Sequence, residues 1–222
     1  MNKKRIFITF PTSPKWPYLH KKVGMFIWRL ARDIRYELHP IWPTHNPYEN
    51  NLHHSLLDFM AQDHDFWLNI DADNPPYNNP LDLVVLDKDI IGLPTPVWHW
   101  AGNEKPKERP VYWTGYDYIP SKNAYKEHLP RKGLQRVDAI GTGCFLISRR
   151  VFLDPFMRLG PFMRGWNTDG TVKKGNDIAF SERVRGQGFK LYMHYGYPCM
   201  HFNELELNEV VKAFKNLYED CN

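Results

Sequence analysis

The stretch Phe66-Trp67-Leu68-Asn69-Ile70-Asp71-Ala72-Asp73-Asn74-Pro75-Pro76 constrains this chain more than any other, because a mostly apolar run passes into two carboxylates and then into a proline stop. A short apolar run bounded by such a break predicts a buried strand of an α/β sheet. Sheets of that kind bind ligands at the carboxyl ends of their strands, which is where Asp71 and Asp73 fall. Residues two apart on a strand face the same way, so both carboxylates can aim at one hard divalent cation such as Mn2+ or Mg2+. An Asp-x-Asp equally fits two solvated turn aspartates, and the context has to decide between them.

The flanking sequence alternates strand and helix. Arg5 to Thr12 reads as a first strand ended by Pro11 and Pro14, and Val23, Phe26, Ile27, Leu30 and Ile34 recur at helical spacing from about Tyr18 to Arg35. Tyr36 to Trp42 reads as a second strand. Asn46-Pro47-Tyr48-Glu49 then carries an N-cap, a proline at the first helical position and an acid in the first turn. The helix it starts places Tyr48, Leu52, Leu56 and Phe59 on one face, ends near Gln62 and leads into the Asp-x-Asp strand.

Beyond Pro76, Asn79-Pro80-Leu81-Asp82 signals a short helix to about Leu86, and Ile90 to Leu93 a further strand. Pro94 to Arg136 has little periodicity and many Pro, Trp, Tyr and Lys/Arg residues, which predicts a long irregular functional loop whose aromatics argue against disorder. Val137 to Ile147 reads as one strand interrupted by Gly141 and Gly143, a place where a bulge or a ligand meets the backbone. Gly165 to Gly175 reads as a hairpin or lid. Asn176 is placed to cap a helix through Val184 that stops at Gly186 and Gly188; Phe189 to Met193 alternates as a strand, and Val210, Val211, Phe214 and Leu217 form a final amphipathic helix.

A chain of 222 residues with no repeats and no convincing linker is read as one domain, with a first half over 1–93, a second over 94–203 and a C-terminal helix over 204–222. No run reaches membrane-span length and no secretory signal is evident, so a cytoplasmic protein is expected. Cys144, Cys199 and Cys221 are an odd set without metal-like spacing, read as reduced packed thiols. A net charge of +4 permits a phosphate-bearing partner without demanding one.

In order, the chain offers the strand-end Asp71-Ala72-Asp73, the Gly141-Thr142-Gly143-Cys144 kink, Gly175-Asn176-Asp177 opening a helix, and His201 after a strand. This order resembles the GT-A-fold inverting glycosyltransferases that use nucleotide-diphosphosugars, over Arg5 to about His201. The resemblance implies a Rossmann-like mixed sheet flanked by helices and a divalent metal held by Asp71, Asp73 and His201. It also implies Asp177 as general base, and nucleotide contacts from Thr9, Pro11, Asn50 or Asn51, Asp71 and the Gly143 kink. The sequence departs from the pattern at Asn176, where the family more often has Glu. Each residue also has a plainer reading: His201 as a core histidine, Asn50 and Asn51 as surface amides, Asp177 as a first-turn carboxylate favoured by the helix dipole.

For the acceptor, Trp98, Trp100, Trp113, Tyr116, Tyr118 and Tyr125 are interleaved with Lys105, Lys107, Arg109, Lys122, Lys126, Arg131 and Lys132. Aromatics with cations can stack bases and neutralise phosphates, can stack sugar rings, or can fill a core. Small enzymes of the resembled type include phage proteins that decorate hydroxylated DNA bases, so a hydroxymethyl pyrimidine in DNA is one expected acceptor and a glycan or lipid-linked hydroxyl the other. A metal-dependent nuclease and a non-catalytic relative are the rival classes.

Overall fold

The computed structural model describes residues 3–12, 19–98 and 111–202. The elements in chain order are β1 (Arg5–Thr9), α1 (Lys21–Leu30), β2 (Glu37–Ile41), α2 (Tyr48–Ala61), β3 (Phe66–Ile70), β4 (Ile90–Gly92) and β5 (Pro96–Trp98). There follow β6 (Val111–Trp113), β7 (Gly115–Ile119), β8 (Ala124–Glu127), β9 (Leu134–Val137), β10 (Ala139–Ile140) and β11 (Cys144–Ser148). The chain then runs through α3 (Arg149–Leu153), β12 (Gly165–Trp166), β13 (Val172–Lys174), α4 (Asn176–Gly186) and β14 (Leu191–His194).

Seven strands form the central sheet in the order β2-β1-β3-β11-β4-β14-β9. β1 is parallel to both β2 and β3, whereas β11 runs antiparallel between β3 and β4. The reversal matters for the site. Because Cys144 at the start of β11 pairs with Ile70 at the end of β3, the glycine kink before β11 lies beside the Asp71 end of β3.

The two-residue alternation of the strands sorts the core into two layers. Phe7, Trp67, Phe145 and Ile147 face Leu52, Leu56 and Phe59 of α2 and Phe180 and Val184 of α4. Ile6, Ile8, Leu68 and Ile70 face the other way, onto Phe26 and Leu30 of α1 and Leu81, Leu83 and Val84. At about 1.5–3 kcal/mol for each large apolar side chain buried, these layers dominate the stability of the sheet. β3 is buried along its whole length, as its composition predicts.

Several boundaries differ from the sequence reading. Helical spacing continues to Ile34, but α1 ends at Leu30 and Ile34 is exposed; the chain turns at Asp33, whose carboxylate is taken by Arg35. Asn46 does not cap α2: Pro47 is the capping residue, and the Asn46 carbonyl accepts from Asn50 Nδ2 at 2.8 Å. Pro80–Leu86 is a 3-10 turn, capped by Asn79.

The described residues of 94–136, expected as irregular loop, fold into β5 to β8 and the start of β9, in pairs β5·β6 and β10-β7-β8 and at the sheet edge. Three- to five-residue strands rich in Val, Tyr and Trp are too short for periodicity to reveal, yet their side chains suit a pleated surface. Val137–Ile147 is not one interrupted strand. β10 leaves the central sheet to pair with β7, and β11 starts only after Gly143.

Gly165–Lys174 is the expected hairpin, β12 pairing with β13. Cys144 and Cys199 are free and buried, as their spacing suggests. Among the described residues no helix is long and apolar enough to cross a membrane. Tyr18, Trp100, Lys105, Lys107, Arg109, the 204–222 helix and Cys221 lie outside the described residues.

Candidate functional site

Asn69 is the one polar side chain in the apolar run of β3, fully buried, and it organises the polar network at the strand end. Its Oδ1 accepts from Thr9 Oγ1 at 2.6 Å, and that hydroxyl in turn accepts from Trp67 Nε1 at 2.8 Å. Its Nδ2 donates to the Thr142 carbonyl at 3.0 Å and to Asp71 Oδ1 at 3.2 Å. A buried amide satisfied on both ends fixes its neighbours' positions, because breaking any one bond strands a polar group away from water. Thr9, expected to meet a nucleotide, is fully buried with its hydroxyl spent on Asn69 and Trp67, so its side chain supports the strand end from behind.

Asp71 is held on two sides. Its backbone N–H donates to the Gly143 carbonyl at 2.8 Å, and Tyr48 Oη, from the first turn of α2, donates to its Oδ1 at 2.7 Å. Tyr48 lies also 3.1 Å from the Thr142 carbonyl, so helix, strand end and kink meet at one hydroxyl. Burial pushes the Asp71 carboxyl up to about 8; the Tyr48 and Asn69 hydrogen bonds oppose that shift and Asp73 adds to it. Burial likewise raises the Tyr48 phenol well above its usual range.

His201 reaches Asp73 through a short zip of backbone bonds. Met200 N–H donates to the Pro75 carbonyl, Phe202 N–H to the Asp73 carbonyl and Tyr77 N–H to the Pro198 carbonyl, each at 3.0 Å. His201 Nδ1–H donates to the Pro96 carbonyl at 2.7 Å, since a carbonyl can only accept, and Nε2 then lies 3.5 Å from Asp73 Oδ2. The carboxylate beside it raises the imidazole's pKa. A ring pinned through one nitrogen and presenting the other beside a carboxylate has the form of a metal-ligating histidine.

The expected three-residue metal set is not assembled. Among the described residues no group of three His, Cys, Asp or Glu side chains is placed to hold one ion. Asp71 Oδ1 is turned to Tyr48 and Asn69, because the buried strand end offers those donors, while Asp73 and His201 converge with each other. An oxygen and an imidazole nitrogen still suit Mn2+ or Mg2+ when a ligand's own oxygens complete the shell.

At the kink, Asn176 Nδ2 donates to Thr142 Oγ1 at 2.9 Å, binding the start of α4 to it. Gly175 is the capping residue of α4 and makes no side-chain bond, so Asn176 does not act as the cap. Next to it, Asp177 Oδ1 accepts from the Ile178 N–H at 2.8 Å. Burial lifts the Asp177 carboxyl above the usual carboxylate range, against its hydrogen bonds to backbone N–H groups and the charge of Arg164.

The remaining expected residues are less direct. Asn51 is buried and ties two loops, its Oδ1 accepting from His45 N–H and its Nδ2 donating to the Thr12 carbonyl at 3.2 Å. Asn50 is exposed and bonded to Asn46; Pro11 is buried at the end of β1. A Cβ on Gly143 would sit 2.7 Å from Asn74 Nδ2 and 3.4 Å from Asp71 Oδ2, so the kink admits no side chain without moving Asn74.

Sequence reasoning misses Tyr48, Asn69, Asn74 and Thr142 as site residues. Asn69 carries a signal, being an amide in an otherwise apolar strand; the others do not. Asn74 is buried, and among the described residues its Oδ1 meets no donor.

No family profile matches the sequence, and no curated protein matches it. Solved structures share the fold. A197 from STIV is 15% identical with a TM-score of 0.53, over 90% of this chain and 86% of that one. GalNAc-T7, solved with UDP, GalNAc and Mn2+, is 13% identical with a TM-score of 0.50 over 96% of this chain; the chain spans 47% of its length. The fold is therefore that of a single-domain, Rossmann-like α/β protein of the GT-A type.

Proposed function

We propose that this chain is a metal-dependent, inverting glycosyltransferase that moves a sugar from a nucleotide-diphosphate donor to an acceptor hydroxyl. The observation that carries the reading is the shared junction at Thr142. Its carbonyl takes Asn69 and Tyr48 from the Asp71 side, and its hydroxyl takes Asn176 from the side of Asp177. One short kink thus joins the donor end of β3 to a carboxylate at a helix start. The fold shared with GalNAc-T7, a structure containing UDP, GalNAc and Mn2+, agrees with this.

Asp73 and His201 would hold the divalent ion. When bound, it supplies Lewis-acid stabilisation of charge on the departing diphosphate. The chain's own groups do the rest. Asp177 takes the proton of the acceptor O–H; the acceptor oxygen forms its bond to the anomeric carbon as the bond to the diphosphate oxygen breaks, and the nucleotide leaves with that electron pair. A single displacement inverts the carbon. A base whose pKa is raised by burial is a stronger proton acceptor than an ordinary carboxylate, and suits an alcohol. Closure of the β12–β13 hairpin would exclude competing water.

The acceptor is the finer part of the proposal. Described aromatics that could have stacked bases are engaged internally: Tyr118 and Tyr125 pack with ring centroids 5.2 Å apart, and Arg185 lies 5.1 Å over Tyr118. We therefore place a glycan or lipid-borne hydroxyl ahead of a hydroxymethyl pyrimidine in DNA. The test is mass spectrometry of simple glycans and hydroxymethylated DNA after incubation with a panel of sugar nucleotides and Mn2+. Thermal unfolding is followed in parallel with UDP, GDP and related nucleotides, since a ligand of the native state raises apparent stability. Stabilisation by a nucleoside diphosphate with inverted transfer to one acceptor is expected. No stabilisation by any of them removes the reading, and cleavage of DNA without a sugar nucleotide would replace it with a nuclease.

A further inference from the structure

Fifteen large apolar side chains are exposed among the described residues, and six of them, Leu153, Phe156, Leu159, Met163, Trp166 and Val172, fall within one stretch of chain. Part of the stretch is also drawn together in space. Trp166 and Val172 are cross-strand partners in the β12–β13 hairpin. Arg183 of α4 donates from Nη1 to the Leu159 carbonyl at 2.5 Å, and with Met163 it lines an open cleft of about 450 Å³. Phe156 and Leu159 are 63% and 73% exposed, and apolar side chains gathered in one patch mark an interaction surface where single ones do not.

The cleft itself carries more cations than acids. Arg164, Lys173 and Lys174 line the cleft with Arg183, and Arg158 stands exposed beside Leu159. Glu182 is paired with Lys174 and Glu49 with Arg164, while Asp154 and Asp169 accept from turn N–H groups and keep their negative charge. Among the described residues Arg158, Lys173 and Arg183 have no carboxylate partner. Aliphatic and aromatic side chains ringed by Lys and Arg suit the boundary of an anionic bilayer, with the apolar groups entering the acyl edge and the cations meeting lipid phosphates. Single-stranded nucleic acid would ask instead for a run of aromatic faces, and four of the six apolar residues here are not aromatic.

We propose that this face, the loop after α3 with the β12–β13 hairpin and the flank of α4, docks on an anionic lipid bilayer. Ala179, Glu182 and Arg183 of α4 wall the cleft, so docking brings the middle of that helix close to the membrane. If the glycosyltransfer reading holds, and this consequence alone rests on it, the acceptor hydroxyl is membrane-borne.

The experiment is co-sedimentation of the full chain with vesicles of phosphatidylcholine alone and of phosphatidylcholine mixed with phosphatidylglycerol. Wild type is expected to sediment with the anionic vesicles and much less with the neutral ones. Phe156→Ser with Leu159→Ser, both at exposed positions, weakens that partition by about tenfold or more, and Lys173→Glu weakens it in a salt-sensitive way. Unchanged thermal midpoints show that the variants are folded. Wild type left in the supernatant with anionic vesicles, or the double-serine variant sedimenting like wild type, overturns the proposal, as does a single-stranded oligonucleotide that binds through these same residues while vesicles are ignored. Nucleoside-diphosphate stabilisation, measured on the same samples, reports on the donor site separately, so failure at the membrane and failure of the transfer reading are told apart.

Discussion

Asn176 donates to Thr142 across 2.9 Å, and this one bond joins the helix that carries Asp177 to the kink against which Asp71 is held. Thr142→Val keeps the shape and removes the acceptor, leaving the Asn176 amide without its partner. A bond of this kind contributes about 1 kcal/mol net. The expected result is a slightly lower thermal midpoint and turnover reduced by about tenfold or more, with nucleoside-diphosphate binding within about twofold of wild type, because the donor wall is untouched. Equal losses of turnover and donor binding would show that Thr142 acts on the donor side alone.

Much of this arrangement is legible in the sequence. β3 and its terminal carboxylates follow from an apolar run, a proline stop and the rule that such strands end at ligand sites. The position of Asp177 at a helix start is readable in the same way. The division of labour between Asp71 and Asp73 is not, because two residues on one face of an ideal strand become different once the strand ends. Asp71 turns toward the Tyr48 hydroxyl and the Asn69 amide, while Asp73, past the turn, meets His201. Thr9 defeats sequence reading for a related reason. Strand-end position says that a side chain is near a site and does not say which face it takes, and Thr9 faces Trp67 and Asn69. The strands of 94–136 are hidden by their shortness, since stability there comes from pairing with distant segments and not from local pattern.

Asp73 and His201 form a pair, and removal of either is expected to abolish the stabilisation that Mn2+ and a nucleoside diphosphate give together. Asp73→Asn and His201→Ala keep the fold, because the zip of 73–77 with 198–202 is made by backbone groups. Calorimetric titration should show donor affinity in Mn2+ reduced by about tenfold or more, about 1.4 kcal/mol, in each variant. The double variant should lose little beyond either single one, as expected of residues that act as a unit. Additive losses would mean that the two side chains serve different ligands.

Asp177→Asn should abolish transfer while leaving donor binding intact, and it carries a stability signature of its own. Burial raises this carboxyl in the folded state, so the native protein holds the proton more tightly than the unfolded chain does. The group's contribution to stability is therefore complete below the ordinary carboxylate pKa and is lost as pH rises through the raised one. At neutral pH the amide variant should melt at or above wild type, and the difference should fade as the solution is made acidic. Activity runs the opposite way: the base works only when ionised, so the acid limb of kcat should fall at a higher pH than an ordinary carboxylate would set. An acid limb that persists in Asp177→Asn with undiminished turnover would acquit it as the base.

His64 is buried among Phe7, Phe59 and His39, with ring centroids 5.2 Å from Phe7 and 5.1 Å from His39, and neither of its ring nitrogens has a partner among the described residues. Burial, with the nearby His39, Arg5 and Arg149, depresses its pKa from 6.5 to about 4, so the native state keeps the ring neutral where the unfolded chain would protonate it. Stability is accordingly complete above the unfolded pKa near 6.5 and is lost as pH falls toward about 4, at up to about 1.4 kcal/mol per pH unit and roughly 3 kcal/mol in all. His64→Leu, similar in volume and unable to ionise, should flatten denaturant-derived stability across that interval. Because a leucine also replaces two unsatisfied nitrogens with apolar surface, the variant is expected to match or exceed wild type at about pH 7 and to exceed it clearly at about pH 5. A parallel pH dependence in wild type and variant would assign the acid sensitivity of the fold to another group.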